Sequence, residues 1–172
     1  TGRAAKHGVF IKSGEALERG EKIDVIMLDK TGTITEGKPS VTNIETENFD
    51  EKEFVSLVAS VETLSEHPLA DAIVEQAKEL EVSIKKPADF SSVTGKGAQG
   101  SVNGKLIKIG RRSFIEEGPS VSSSLLEKAS SYESEAKTVV FASIDNKCVG
   151  LLAIADELKK QSKKTIDELH KL

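Results

Sequence analysis

Asn103-Gly104 stands between two short alternating segments, residues 99–102 and 105–109. A two-residue loop of this composition accepts positive φ at both positions and joins antiparallel strands with the right twist. Asp145-Asn146 occupies the same kind of place between residues 138–144 and 147–155. The middle of the chain is therefore expected to be antiparallel sheet.

Helical signals surround these hairpins. Asp50 followed by Glu53 reads as a capping box, and Phe54, Leu57, Val58 and Val61 share one apolar face. Residues 65–68 interrupt the pattern, and Pro68 suits the first position of a second helix with Leu69, Ile73, Ala77 and Leu80 on its face. The serines of residues 120–124 read as a loop and cap before a helix bearing Leu125, Leu126, Ala129 and Tyr132. Residues 157–172 are expected to be helical, with Leu158, Ile166, Leu169 and Leu172 on one side. Towards the N-terminus the pattern predicts a short strand at 8–12, a short helix at 13–19, a hinge at Gly37-Lys38-Pro39 and a strand at 40–45. No internal repeat is present.

The segment with the clearest chemistry follows Ile23, Val25, Ile26, Met27 and Leu28. This apolar run predicts a strand, and Asp29-Lys30-Thr31-Gly32-Thr33-Ile34-Thr35 after it predicts a tight loop. In open α/β sheets ligands bind beyond the carboxyl ends of strands, where Asp29 is expected. A carboxylate there can attack phosphorus once the phosphoryl charge is neutralised. Magnesium, held by the Asp29 carboxylate and a nearby backbone carbonyl, supplies that neutralisation, and Lys30 adds a positive charge. Thr31, Gly32 and Thr33 offer amides and hydroxyls to phosphate oxygens. The competing account has Asp29 capping a turn that the threonines satisfy.

Composition removes several function classes. A formal net charge of -4, with aromatics at 4% and no tryptophan, gives neither the field nor the stacking surfaces for nucleic acid. The single cysteine, Cys148, cannot form an internal disulfide, which fits a reducing compartment; its apolar neighbours suit a core position. No Cys-x-x-Cys or His/Cys cluster argues for a transported-metal site, and His7 and His170 read as surface residues. No stretch approaches the roughly 20 apolar residues that span a bilayer.

Asp29-Lys30-Thr31-Gly32-Thr33-Ile34-Thr35 resembles the phosphorylation motif of P-type ATPases. Lys6-His7-Gly8-Val9-Phe10-Ile11-Lys12 and Gly14-Glu15-Ala16-Leu17-Glu18 look like the segment that joins membrane helices to that motif in the heavy-metal pumps. Ser65-Glu66-His67-Pro68-Leu69-Ala70 is similar to their nucleotide-site signature, and Thr94-Gly95-Lys96-Gly97 to their Gly-x-Gly element. Ala153-Ile154-Ala155-Asp156 with Leu158-Lys159 resembles the hinge back into the phosphorylation domain. The resemblance covers nearly the whole chain, in the family's order.

The resemblance implies an α/β fold. Part of a Rossmann-like, haloacid-dehalogenase-type phosphorylation domain (residues 1–36) is followed by an inserted α+β nucleotide-binding domain (37–154), and the chain then returns (155–172). So few parallel elements imply that the phosphorylation domain is truncated here. The implied activity is ATP-driven metal export through an aspartyl phosphate on Asp29, with Lys30 and Thr31 beside it and an incomplete magnesium site at Asp29 and Thr31. ATP or ADP is implied to bind at Glu62, His67, Gly95 and Gly97. The implied partners are the membrane helices, actuator domain and rest of the phosphorylation domain of an intact pump at the cytoplasmic face of a membrane, and a metal chaperone. Gly14-Glu15-Ala16-Leu17-Glu18 leans towards copper, with zinc or cadmium as the nearest rival.

Phosphatases of the same superfold carry an acid two residues after the nucleophile. Thr31 stands there, which lengthens the life of an aspartyl phosphate and counts against a soluble phosphatase or phosphotransferase. A non-catalytic nucleotide-binding module is the other alternative. One departure from the family is Arg111, where an asparagine is usual after Ile109-Gly110. The chain alone is expected to bind nucleotide weakly without turnover.

Overall fold

The computed structural model describes residues 2–20 and 22–171. Thr1, Glu21 and Leu172, the last of which was expected on the C-terminal helix face, lie outside the described residues. Two short helices come first, α1 (Gly2–Lys6) and α2 (Gly14–Gly20), the second close to the predicted one. A long strand, β1 (Thr35–Thr46), leads to the helical pair α3 (Glu51–Glu62) and α4 (Pro68–Glu79). Strands β2 (Ala88–Val93), β3 (Gly97–Val102) and β4 (Lys105–Gly110) follow, then helices α5 (Arg112–Ile115) and α6 (Ser123–Ser134). The hairpin β5 (Thr138–Ile144) and β6 (Lys147–Leu158) precedes α7 (Ser162–Leu169).

The six strands form one sheet in the order β1-β6-β5-β4-β3-β2, with every pair antiparallel. Both hairpin turns use the expected backbone: φ is 53° at Asn103 and 78° at Gly104, and 47° at Asp145 and 62° at Asn146. Asp50 caps α3 by accepting from the Glu53 amide at 2.8 Å. Only half of the capping box forms, because Glu53 Oε1 pairs with Lys105 Nζ at 2.7 Å instead of turning back. Ser122 caps α6 through the Leu125 amide, within the predicted serine loop.

Helices cover both faces of the sheet. Phe54, Val58, Ile73, Ile107, Ile109, Leu152 and Ile154 form a core under α3 and α4, and Phe114, Ile115, Leu125, Phe141, Leu151 and Ala153 form a second under α5 and α6. Strand β6 is buried on both sides, which explains its almost unbroken apolar sequence. Ala142 pairs with Gly150 and Ser143 with Cys148, so Val149 is an extra residue. That bulge reverses the alternation. Cys148 faces the same core as Leu151 three residues on, while Val149, Leu152 and Ile154 face the other.

Several expected elements differ. Residues 8–12 and 23–28 form no strand. Every described strand belongs to the antiparallel sheet, so the 23–28 run has no neighbour to bond with. It stands in the open, with Val25 78% and Met27 93% exposed. The hinge at Gly37-Lys38-Pro39 lies inside β1. There the pairing with β6 slips between Thr35 and Pro39, and Gly37 takes φ 78°. Pro39 is tolerated because β1 is an edge strand that needs hydrogen bonds on one side only. The C-terminal helix begins at Ser162, because residues 157–158 are still paired in β6, Leu158 opposite Thr35.

Candidate functional site

A cleft of about 940 Å³ opens where the start of α4, the turn between β2 and β3, and the ends of β4 and β5 meet. Glu62, His67, Gly95 and Gly97 all line it, so four residues chosen from separate stretches of sequence converge on one space. Ile73, Ala98, Ile109 and Val140 supply apolar wall, and Arg111 reaches the same cleft.

Each of the four is held by its local structure. His67 sits at the N-cap of α4, directly before Pro68. Its Nδ1 accepts from the Leu69 amide at 3.2 Å, which assigns the ring proton to Nε2. Glu62 closes α3 and is half-buried. Burial pushes its carboxyl above the usual carboxylate range, and a hydrogen bond from Ser65 pulls it back in part. A carboxylic group poised this way can accept from, or donate to, a nitrogen base.

The two glycines serve different ends. Gly95 has φ 72° and nothing within 4 Å of where a Cβ would project, so the turn needs its backbone while the space beside it stays open. A Cβ on Gly97 would lie 2.2 Å from the Ile109 carbonyl oxygen and 2.7 Å from the Gly110 Cα. That position is closed by β4, not by free cleft space. The approach is fixed by the Gly97–Gly110 pairing and by the Arg111 amide, which donates to the Lys96 carbonyl at 2.8 Å.

Because the folded protein favours the protonated Glu62, folding binds a proton more tightly than the unfolded chain does. Its contribution to stability is full below the ordinary value of 4.5 and is lost as pH rises through the raised folded value. Glu62→Gln removes this slope. The urea midpoint of the variant should gain on that of the wild type as pH rises above about 4.5. Parallel curves would contradict it.

Asp29 is exposed and lies outside the cleft. Its Oδ1 accepts from the Lys30 amide at 2.8 Å, so it does cap the turn. Thr31 (φ -76°, ψ 121°) and Gly32 (φ 74°, ψ -8°) make a type II turn, whose third residue requires glycine-like freedom. The Thr35 amide closes the loop on the Lys30 carbonyl.

The loop is clamped by residues that sequence reasoning did not single out for this role. Thr35, 1% exposed, donates through Oγ1 to Asp156 Oδ2 at 2.5 Å and accepts from the Gly32 amide at 3.2 Å. Asp156 Oδ1 accepts from the amides of Gly37 and Lys38 at 2.8 and 3.2 Å. Lys159 Nζ reaches the Gly32 carbonyl at 2.7 Å, and Ser162 reaches that of Ile34 at 2.6 Å. Thr35 and Asp156 are 121 residues apart, so no local pattern reveals the pair; only the β1–β6 register does. Asp156→Ala should cost about 2 kcal/mol, the loss of a charged acceptor serving three donors. Faster amide exchange at Gly37 and Lys38 than in the wild type would register it.

Of the remaining singled-out residues, Cys148 is buried and unpaired, and burial raises its thiol pKa. Among the described residues no group of three His, Cys, Asp or Glu side chains is arranged to hold a metal ion, and no helix is long and apolar enough to cross a membrane.

Comparison with known proteins follows the same lines. The family model for haloacid dehalogenase-like hydrolases matches residues 23–172. A copper-exporting P-type ATPase of Legionella pneumophila is 42% identical over 168 residues, which is 98% of this chain and 23% of that protein. Among solved structures, a zinc-transporting PIB-type ATPase in the E2.Pi state superposes with a TM-score of 0.87 at 33% identity, covering 97% of this chain and 27% of that one. The catalytic domain of the CPx-ATPase CopB-B, studied for its conformational changes upon nucleotide binding, gives 0.65 at 28% identity over 93% of this chain and 55% of its own. The chain thus spans about a quarter of the length of the curated relative it matches. It belongs to the haloacid dehalogenase-like hydrolase family, and its similarity to P-type ATPases runs over almost its whole length.

Proposed function

We propose that this chain is the ATP-binding and phosphorylation portion of a copper-exporting P-type ATPase. The convergence of Glu62, His67, Gly95 and Gly97 on one cleft is the observation that carries the reading. The nucleotide-binding unit comprises residues 37–154. Residues 1–36 and 155–172 belong to the phosphorylation domain, and β1 and β6 run across both borders. Adenine lies against the apolar wall, with the Glu62 carboxyl and the His67 Nε2 proton available to its polar edge and the Gly95 turn leaving room. Copper is the cargo, in line with the activity of the Legionella relative.

Asp29 accepts the γ-phosphoryl group, and Lys30 next to it supplies positive charge to its oxygens. Asp29 and the Thr31 carbonyl are oxygen donors of the kind magnesium takes, and bound magnesium supplies charge neutralisation there. They are too few for a full coordination shell, so the intact pump provides the others. No residue of the loop from Asp29 to Thr35 lines the nucleotide cleft, so transfer requires the two units to close on each other. The remaining partners are the membrane helices, the actuator domain and a metal chaperone, at the cytoplasmic face of the membrane.

The direct test is ATP titration of the 172-residue chain, followed by amide NMR. Shifts at Glu62, His67, Gly95 and Gly97, with no steady phosphate release, are expected. Shifts confined to other regions, or robust magnesium-dependent turnover by this chain alone, would sink the assignment.

A further inference from the structure

Gly32 is the point of greatest backbone freedom in the loop after Asp29. It has φ 74° and no Cβ, so the peptides on either side of it meet little steric resistance to rotation. Two contacts hold it. Its N–H donates to Thr35 Oγ1 at 3.2 Å, from within the loop. Its carbonyl accepts from Lys159 Nζ at 2.7 Å, from a residue 127 positions away, beyond the inserted unit. The lysine is itself well placed. Its amide donates to the Ile34 carbonyl and its carbonyl accepts from the Ser162 amide, both at 2.9 Å, while Leu158 before it pairs with Thr35. Lys159 is half-buried, and among the described residues its ammonium pairs with no carboxylate. Its charge is directed at one main-chain peptide of the loop.

We propose that Lys159 is a positioning residue for phosphoryl transfer, which holds the Gly32–Thr33 peptide so that the loop behind Asp29 keeps one shape. This rests on the reading of Asp29 as the phosphoryl acceptor. A trans peptide is planar, so a Gly32 carbonyl directed at Lys159 turns the Thr33 N–H to the opposite side. Without the ammonium this peptide loses the contact that fixes it, and glycine sets no barrier to its rotation. A nucleophile carried on the same short turn then samples several orientations, whereas in-line attack on phosphorus accepts few. The bond also ties the loop to the end of β6, so the loop takes its final shape only when both ends of the inserted unit are in register. Lys159 does not line the nucleotide cleft, so its effect falls on transfer and not on ATP affinity.

The test is rapid-quench measurement, in the intact pump, of label transfer from γ-phosphate-labelled ATP to protein across a range of ATP concentrations. Lys159→Met should lower the maximal rate about tenfold, the loss of one charge-assisted bond, and leave the half-saturating ATP concentration within about twofold. Lys159→Arg, which can donate to the same carbonyl, should recover most of the rate. Lys160→Met, which removes an exposed neighbouring charge, should behave as wild type. In the 172-residue chain without nucleotide, Lys159→Met should move the amide signals of Gly32 and Thr33. Slow transfer with those signals unmoved would make the ammonium a direct contact to the phosphoryl group and overturn the positioning role. An unchanged maximal rate, or equal losses in Lys159→Met and Lys160→Met, would overturn it as well. Where Lys159→Met fails to fold, Lys159→Gln, which keeps a donor without the charge, should show the same split in smaller measure, and an unchanged rate there overturns the proposal. Asp29→Asn separates the two readings. Label retained in that variant removes the acceptor reading, whereas label lost there with full rate in Lys159→Met removes this proposal alone.

Discussion

Gly97→Val will destabilise this chain by about 3 kcal/mol or more, the upper range for overpacking a closed site. At this position the Cβ alone would lie 2.2 Å from the Ile109 carbonyl oxygen, 2.7 Å from the Gly110 Cα and 2.8 Å from the Phe114 ring. Two of these obstacles are backbone, which cannot rotate away. Relief requires β3 and β4 to part at the Gly97–Gly110 pair, and this disturbs the β2–β3 turn and the Arg111 anchor together. Gly95→Ala is the contrast. It meets no atom, and its cost is the left-handed backbone alone, about 1 kcal/mol. Urea unfolding of the two variants separates the cases, and a Gly97→Val midpoint equal to that of Gly95→Ala would refute the packing account. The distinction matters for function, since loss of nucleotide binding in a Gly97 variant reports a deformed cleft before it reports a lost contact.

The second large effect concerns chemistry. In the intact pump, Asp29→Asn is expected to abolish transfer of label from γ-phosphate-labelled ATP to protein, because an amide is not a nucleophile towards phosphorus. The structural cost should stay within about 0.5 kcal/mol, as expected for an exposed position. The Asp29 side chain makes one local bond, to the Lys30 amide, and an asparagine oxygen can accept the same bond. ATP binding by the 172-residue chain should be unaffected, since Asp29 does not line the cleft. Label retained in the Asn variant, and sensitive to hydroxylamine, would mean that another carboxylate accepts the phosphoryl group.

The local part of this fold was legible residue by residue. Asn103-Gly104 and Asp145-Asn146 made their turns because few other residues accept two successive positive φ values. Asp50, Ser122 and the His67-Pro68 pair opened helices because the free amides of a first turn need an acceptor or need not exist. The failures occurred where an element depends on a partner. Residues 23–28 have strand composition yet no strand, because a strand is completed by hydrogen bonds to a neighbour and none of the described strands lies alongside. Leu158 belongs to β6 because β1 lies opposite, although the residues around it favour a helix.

The site divides in the same way. The resemblance of its motifs to those of the heavy-metal pumps was enough to nominate Glu62, His67, Gly95 and Gly97, and the residues around Asp29 to nominate it at a turn. It could not say that Gly97 is held by the Ile109 carbonyl, that Val149 is a bulge exchanging the two faces of β6, or that Asp156 clamps Thr35. Caps, turns and amphipathic faces are interactions between residues a few positions apart, so the sequence by itself determined them. Registers, close backbone approaches and the presence or absence of a counter-charge arise between segments far apart in the chain. Only the tertiary structure decides which of those segments meet.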